Sequence, residues 1–195
     1  MEIPSGVLPA IRKMKDFESA LESSQDTIVL LETRISQLKS LIAYTRRAKK
    51  RVLLHVDLVQ GLRTDEYAME FLIREMKPDG ILSTRSNVIG IAKKHGLLSI
   101  QRMFLLDSLA LDHNLELIDR TQPDCIEVLP GLIPDMIRRQ IHEKTNLPVI
   151  AGGLIKQPSD IERAMAAGAV AVSTSEKSCG KNIMQNDCSW KPCLL

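Results

Sequence analysis

Apolar positions along this chain follow two alternating rhythms. Short runs of aliphatic and β-branched residues recur at 7–11, 28–32, 51–58, 80–83, 97–102, 124–129, 148–152 and 170–174. Each is short enough for a strand, and eight strands are predicted. The first is the weakest, because Pro9 lacks the N–H that a ladder needs. Between the runs, apolar residues fall at helical spacing, as in Leu111, Leu115 and Ile118 after Asp107. Ser36 and Thr64 read as helix N-caps, with Asp65 and Glu66 in the first turn after Thr64. Pro134 lies early in its helix, where proline is tolerated. Pro158, Ser159 and Asp160 open a helix that ends at Ala167, with Gly168 as its stop. Pro-Asp recurs at Pro78-Asp79 and Pro123-Asp124, each time just before a predicted strand.

Strands alternating with helices through short turns imply a parallel sheet with both faces covered. Eight such units close naturally into an α/β, (β/α)8 TIM-type barrel, here a compact one. An open doubly wound sheet is the alternative, and no GxGxxG follows the first strand to support it. The barrel is expected over residues 1–177. Residues 178–195 (SCGKNIMQNDCSWKPCLL) show neither rhythm and are expected to form an unstructured or non-native tail. At 195 residues, 44% hydrophobic and 26% charged, the chain suits one ordinary globular core. No apolar run reaches the roughly 18 residues of a membrane span, and the N-terminus lacks a secretory pattern, so a cytoplasmic protein is expected. Three of the four cysteines lie in the tail and none forms a CxxC pair, so neither a disulfide framework nor a zinc site is indicated. Cys125 reads as a small buried side chain.

Barrel chemistry is built where strands end. The polar residues at those ends are Glu32, His55, Asp57, Ser83, Arg85, Gln101, Arg102, Glu127, the Gly152-Gly153 pair, and Ser173, Thr174 and Ser175. Alternation places Leu53, His55 and Asp57 on one face, and Ile81, Ser83 and Arg85 on another. Gly152 and Gly153 allow a close backbone approach to an anion, and the hydroxyls of Ser173, Thr174 and Ser175 add donors, as a barrel phosphate site requires. A tight turn that needs glycine for packing alone is the competing reading. His55 and Asp57 are either a general base with its partner, a metal pair, or simple hydrogen-bonding groups. Glu32 and Glu127 either face each other as an acid–base pair or each pair with Arg85 or Arg102.

A net charge of +2 and six aromatic residues give little support to a dedicated nucleic-acid module. The one basic cluster follows Tyr44: Arg46, Arg47, Lys49, Lys50 and Arg51. It is either a solvated helix end favoured by the macrodipole or a contact for an anionic partner such as RNA, with Tyr44 free to stack.

Several blocks resemble the glycerol uptake operon antiterminator regulatory proteins, the glycerol-3-phosphate-responsive antiterminators. They are Leu31-Glu32-Thr33-Arg34-Ile35-Ser36-Gln37-Leu38, His55-Val56-Asp57-Leu58-Val59-Gln60-Gly61-Leu62, Lys77-Pro78-Asp79-Gly80-Ile81-Leu82-Ser83-Thr84-Arg85, Ile100-Gln101-Arg102-Met103-Phe104-Leu105-Leu106-Asp107-Ser108 and Ile126-Glu127-Val128-Leu129-Pro130-Gly131. The likeness runs from about Ile3 to Lys177 and leaves out the tail. It implies a barrel that senses glycerol 3-phosphate and acts on a leader mRNA so that transcription reads through a terminator. It implies an effector rather than a cofactor, no catalytic residues, no metal and no membrane. The phosphate would then sit on Gly152, Gly153, Thr174 and Ser175. Glu32, His55, Asp57, Arg85 and Arg102 would serve the hydroxyls and the surrounding charge network. A barrel isomerase or synthase acting on a small phosphorylated substrate is the alternative.

Overall fold

The computed structural model describes residues 2–133 and 135–176. The tail expected at 178–195 lies outside the described residues. The chain forms β1 (Gly6–Ile11), α1 (Phe17–Leu21), β2 (Thr27–Leu30), β3 (Thr33–Arg34), α2 (Ile35–Arg47), β4 (Arg51–His55), β5 (Val59–Gln60) and α3 (Glu66–Phe71). It continues with β6 (Gly80–Ser83), α4 (Ser86–Lys94), β7 (Leu98–Phe104), α5 (Ser108–Thr121), β8 (Cys125–Leu129), α6 (Asp135–Thr145), β9 (Val149–Gly152), α7 (Pro158–Ala166) and β10 (Ala171–Thr174). Eight of the strands close a barrel in the order β1-β10-β9-β8-β7-β6-β4-β2, all pairs parallel. The two short strands, β3 and β5, pair with each other just beyond the barrel.

All eight expected strands are present, and their boundaries have local causes. Pro9 is the last residue of β1 in register with β10, and pairing with β2 begins only at Ala10. β1 therefore changes partner next to the residue that cannot donate. β4 stops at His55 because Val56–Leu58 turns into a 3-10 helix. The alternation expected to carry Asp57 onto the face of Leu53 and His55 is broken there. The Pro-Asp repeat is a clasp at the strand starts. Val52 N donates to Asp79 Oδ2 at 2.8 Å, and Ser99 N and Oγ donate to Asp124 Oδ2 at 2.9 and 2.7 Å. Each aspartate thus ties the beginning of its strand to the strand before it.

Two of the expected helix caps move. The cap of α3 is Asp65, whose side chain accepts from Ala68 N, one residue after Thr64. α2 begins at Ile35 behind Arg34, so Ser36 lies inside the helix. Asp107 caps α5 as expected, accepting from Ala110 N at 2.8 Å. Gly168 ends α7 with a left-handed φ of 90°.

Strand alternation divides the apolar residues into two populations. Leu8, Ala10, Val29, Leu53, Leu82, Leu98, Ile100, Ile150 and Ala171 fill the lumen. Ile28, Leu30, Val52, Leu54 and Ile81 face outward and are covered by Leu38, Leu41 and Ile42 of α2 and Met69 of α3. Apolar packing fills the lower lumen, and polar side chains collect at the strand C-terminal ends. Among the described residues, no helix is long and apolar enough to cross a membrane.

Candidate functional site

At the C-terminal end of the lumen, alternation brings His55, Arg102, Glu127, Gly152 and Ser173 inward from β4, β7, β8, β9 and β10. Glu127 is the hub. Arg102 Nε donates to Glu127 Oε2 at 2.5 Å, and Ser173 Oγ donates to Glu127 Oε1 at 2.6 Å. Arg102 is 8% exposed and Glu127 1%. Burying two charges this deeply is costly unless they are paired and hydrogen-bonded, which these are.

His55 is 3% exposed and its Nδ1 has no hydrogen-bond partner. Burial and, secondarily, the Arg102 guanidinium push its pKa down to about 4, with Asp57 offsetting part of their effect. The imidazole is therefore neutral at pH 7, and its Nδ1 is a buried polar atom left without a partner. Cys125, also buried, has its thiol pushed up to about 12 by burial and by Glu127, so it is inert.

Above this layer a second cluster is organised by Asp57. Its Oδ1 accepts from Ser83 Oγ at 2.5 Å, and its Oδ2 accepts from Thr84 N at 2.7 Å and Thr84 Oγ1 at 2.9 Å. Arg85 Nε lies 3.9 Å from Asp57 Oδ1, and the Arg85 side chain is largely open to solvent. Asp57 therefore locks the β6–α4 turn and positions Arg85 on the rim. Ser83 and Gln101 do not line the lumen. Leu82 and Ile100 occupy that face, so their neighbours turn outward. Gln101 Nε2 donates to Ser83 O at 3.3 Å and Thr84 O at 3.0 Å, bracing the same turn from behind. Glu32 pairs with Arg12 at 3.2 Å, not with Arg85 or Arg102, a partner that the sequence reading missed.

The glycine turn combines the two readings left open for it. Gly153 has a φ of 71°, in the left-handed region that favours glycine, and Gly131 N donates to its carbonyl at 3.2 Å. Gly152 needs no unusual backbone. A Cβ there would meet Ser173 Oγ at 2.7 Å and Glu127 Oε1 at 2.9 Å. The Glu127–Ser173 pair fills the space of its missing side chain. Gly152→Ala should therefore cost about 1–3 kcal/mol through overpacking. Urea denaturation checks this, and an unchanged midpoint would show that the pair can give way freely.

Thr174 faces the helices. It donates to Ile155 O at 3.0 Å and accepts from Glu176 N at 3.1 Å. Ser175 is exposed beside it. Beyond Gly153, Lys156 N and Gln157 N donate to Asp160 Oδ2, which anchors the loop to α7 and holds the Asp160 carboxyl below its ordinary pKa. A cavity of about 870 Å³ lies away from this mouth, on the barrel flank between α6 and α7, lined by Arg139, His142, Leu147, Arg163 and Ala167. It touches none of the mouth's charged residues. Among the described residues, no group of three or more His, Cys, Asp or Glu side chains gathers to hold a metal ion.

The basic cluster sits at the opposite end of the barrel, where α2 finishes and β4 begins. Three of its members are tied into the fold. Lys50 Nζ donates to Ser23 O at 2.6 Å and Gln25 O at 2.5 Å. Arg51 donates to Thr27 Oγ1 at 3.1 Å and Glu2 O at 2.9 Å. Arg46 donates to the Lys77 carbonyl. Arg47 lies 5.7 Å from the Tyr44 ring centroid, a cation–π distance, and Lys49 is exposed.

These features define a TIM-type barrel, eight parallel strands with seven helices among the described residues, and a buried, charge-balanced mouth. The chain belongs to the glycerol-3-phosphate responsive antiterminator family, whose profile matches residues 7–179. A glycerol uptake operon antiterminator regulatory protein from Listeria monocytogenes is 47% identical, with a TM-score of 0.86 over 91% of this chain and 97% of that one. A glycerol uptake operon antiterminator-related protein from Thermotoga maritima is 29% identical, with a TM-score of 0.78 over 89% and 96%. The Escherichia coli K12 protein YgcP is 33% identical over 87% of this chain and 88% of its own length. Aldolases and other barrel enzymes share the fold alone, as in an aldolase at 11% identity and a TM-score of 0.67.

Proposed function

We propose that this protein is a non-enzymatic, cytoplasmic regulator that binds glycerol 3-phosphate at the barrel mouth and, in response, acts on a leader mRNA to carry transcription past a terminator. The observation that supports this best is the mouth itself: a buried guanidinium held by Glu127 beside a neutral His55 whose buried Nδ1 has no partner. Buried polar groups with spare hydrogen-bonding capacity suit a small polar ligand. The glycerol hydroxyls would meet the His55 imidazole, after a small shift that uncovers its Nδ1, and the free side of Arg102. The phosphate would meet the Gly152-Gly153 turn, Ser173 and Ser175, with Thr174 holding the loop behind them. Arg85 on the rim, set by Asp57, would add charge for the same anion, while Glu32, Ser83 and Gln101 support the mouth from outside. The ligand must favour the RNA-competent state, since equal affinity for both states shifts nothing.

Thermal and chemical denaturation in glycerol 3-phosphate test the ligand assignment. A ligand at one hundred times its Kd adds about 2.7 kcal/mol. His55→Gln and Ser175→Ala should shrink that gain, and no gain in the wild type would overturn the reading. Product analysis of the same mixtures tests the absence of chemistry. Conversion of glycerol 3-phosphate by the wild type, lost in His55→Gln, would favour an isomerase or synthase.

A further inference from the structure

Five of the six aromatic residues lie among the described residues, and only Phe17 is buried. Three of the exposed rings sit on neighbouring helices: Tyr44 (51% exposed) on α2, and Tyr67 (82%) and Phe71 (38%) on α3. Tyr67 and Phe71 are four residues apart, opposite the buried Met69 and Leu72, so both rings project from one outer face of α3. The core requires none of this, and a sequence with so few aromatics has placed most of them where they meet solvent.

The charge on α2 is equally one-sided. Residues 33–56 contain Arg34, Lys39, Arg46, Arg47, Lys49, Lys50 and Arg51 and no acidic residue. Arg46 reaches across to the Lys77 carbonyl, at the end of the π-helical turn Leu72–Met76 that continues α3, so that edge of α2 faces the α3 side of the barrel. Lys39, seven residues earlier, shares the edge and is exposed. Arg47 lies over Tyr44. Across the two helices, exposed cations therefore lie between two aromatic positions. α3 carries two acids, of which Glu70 is taken up by Arg74 at 2.9 Å and Glu66 lies in the first turn, where the helix dipole favours it.

We propose that the α2–α3 face is the RNA-docking surface, with α2 contacting phosphates through Lys39, Arg47 and Lys49 and α3 offering Tyr67 and Phe71 as base-stacking platforms. The proposal rests on the antitermination reading and adds the place and manner of contact. Single-stranded nucleic acid is recognised by this combination of cationic track and open rings. A second copy of the chain fits less well. A two-fold interface brings the same patch against itself, and the acid-free α2 would then face its own cations. The surface is also distinct from the ligand mouth, because the rings and cations stand on the barrel wall. Lys50, Arg51 and Arg46 serve mainly to close the barrel base.

The test is fluorescence titration of a labelled leader transcript from a glycerol uptake operon, in saturating glycerol 3-phosphate and over a series of salt concentrations. Tyr67→Ala with Phe71→Ala should weaken binding about tenfold or more, with the salt slope unchanged. Tyr67→Phe should retain wild-type affinity, because the ring remains. Lys39→Gln, Arg47→Gln and Lys49→Gln together should flatten the slope of log K against log salt by about 2. Tyr67 and the three cations are exposed, so melting midpoints should hold in Tyr67→Ala alone and in the cation variant, and these keep the test open if loss of the half-covered Phe71 ring lowers stability. Wild-type binding that survives loss of both rings would overturn this surface and leave the antitermination reading standing. No binding by the wild type would overturn both. A fall in mass on light scattering, confined to the ring variant, would assign the face to contacts between copies and overturn the proposal.

Discussion

Glu127→Ala should destabilise the barrel by about 3–5 kcal/mol, the largest loss expected from any single substitution at the mouth. The cost does not come from the methylenes removed. Glu127 accepts from both Arg102 Nε and Ser173 Oγ in a lumen layer closed to water. Without it a buried guanidinium has no counter-charge and a buried hydroxyl has no acceptor. Removing both charges should be far milder. Arg102→Met combined with Glu127→Leu should recover most of the loss, since apolar side chains of similar volume replace buried ion pairs at little cost or with a gain. The double variant should nonetheless fail to respond to glycerol 3-phosphate, which separates the ligand role from the structural one. Urea denaturation of the three proteins measures all of this. A loss below about 1 kcal/mol for Glu127→Ala would mean that water reaches Arg102 and that the pair behaves as a surface one.

The barrel was legible because each strand announces itself locally. Runs such as 28–32 and 124–129 are apolar enough to be covered on both faces, and the Pro-Asp repeats mark where strands begin. What local pattern could not show is how the strand ends behave. Val56–Leu58 reads as continued strand by composition and is a 3-10 turn in the fold. That turn swings Asp57 away from the face of His55 and toward Ser83 at the end of β6 and Thr84 just beyond it. A side chain that can be satisfied across the sheet overrides the alternation of its own strand.

The polar residues at the strand ends were legible, and neither their partners nor which of them face the lumen was. The sequence offered Arg85 and Arg102 to Glu32 and Glu127, and the fold accepted only the Arg102–Glu127 half. That pair forms because β7 and β8 register Arg102 directly against Glu127. Glu32 lies past the end of β2, on the exposed rim, where Arg12 from the adjacent β1 is nearer. Register between distant strands is set by core packing, and no short motif carries it. The same holds for Gly152. Its sequence context suggests an anion-binding turn, yet the carboxylate that excludes a side chain there belongs to Glu127 on the neighbouring strand. The intramolecular partners of the basic run at 46–51 were hidden for a related reason. Arg46, Lys50 and Arg51 each find a backbone carbonyl 24 or more residues away, and that cannot be read from charge alone.

Acidification should expose the burial of His55. Its pKa is about 4 in the folded protein against 6.5 for the free side chain. Between those values the unfolded chain binds a proton that the folded one refuses. Stability is therefore complete above about pH 6.5 and is lost as the pH falls through the interval to 4. The full difference corresponds to about 3 kcal/mol, at roughly 1.4 kcal/mol per pKa unit. The leading cause is desolvation, with Arg102 second, so the effect should shrink when Arg102 is replaced and should not vanish. His55→Gln supplies the reference. Its absolute stability can differ from wild type, but its decline between pH 6.5 and 4 should be shallower by the His55 contribution, because glutamine does not titrate. Saturating glycerol 3-phosphate adds a second reading. If the ligand accepts or donates at the neutral Nδ1, its affinity should fall over the same acidic interval in the wild type. Superimposable stability–pH curves for wild type and His55→Gln would show instead that the imidazole is hydrated in the folded barrel.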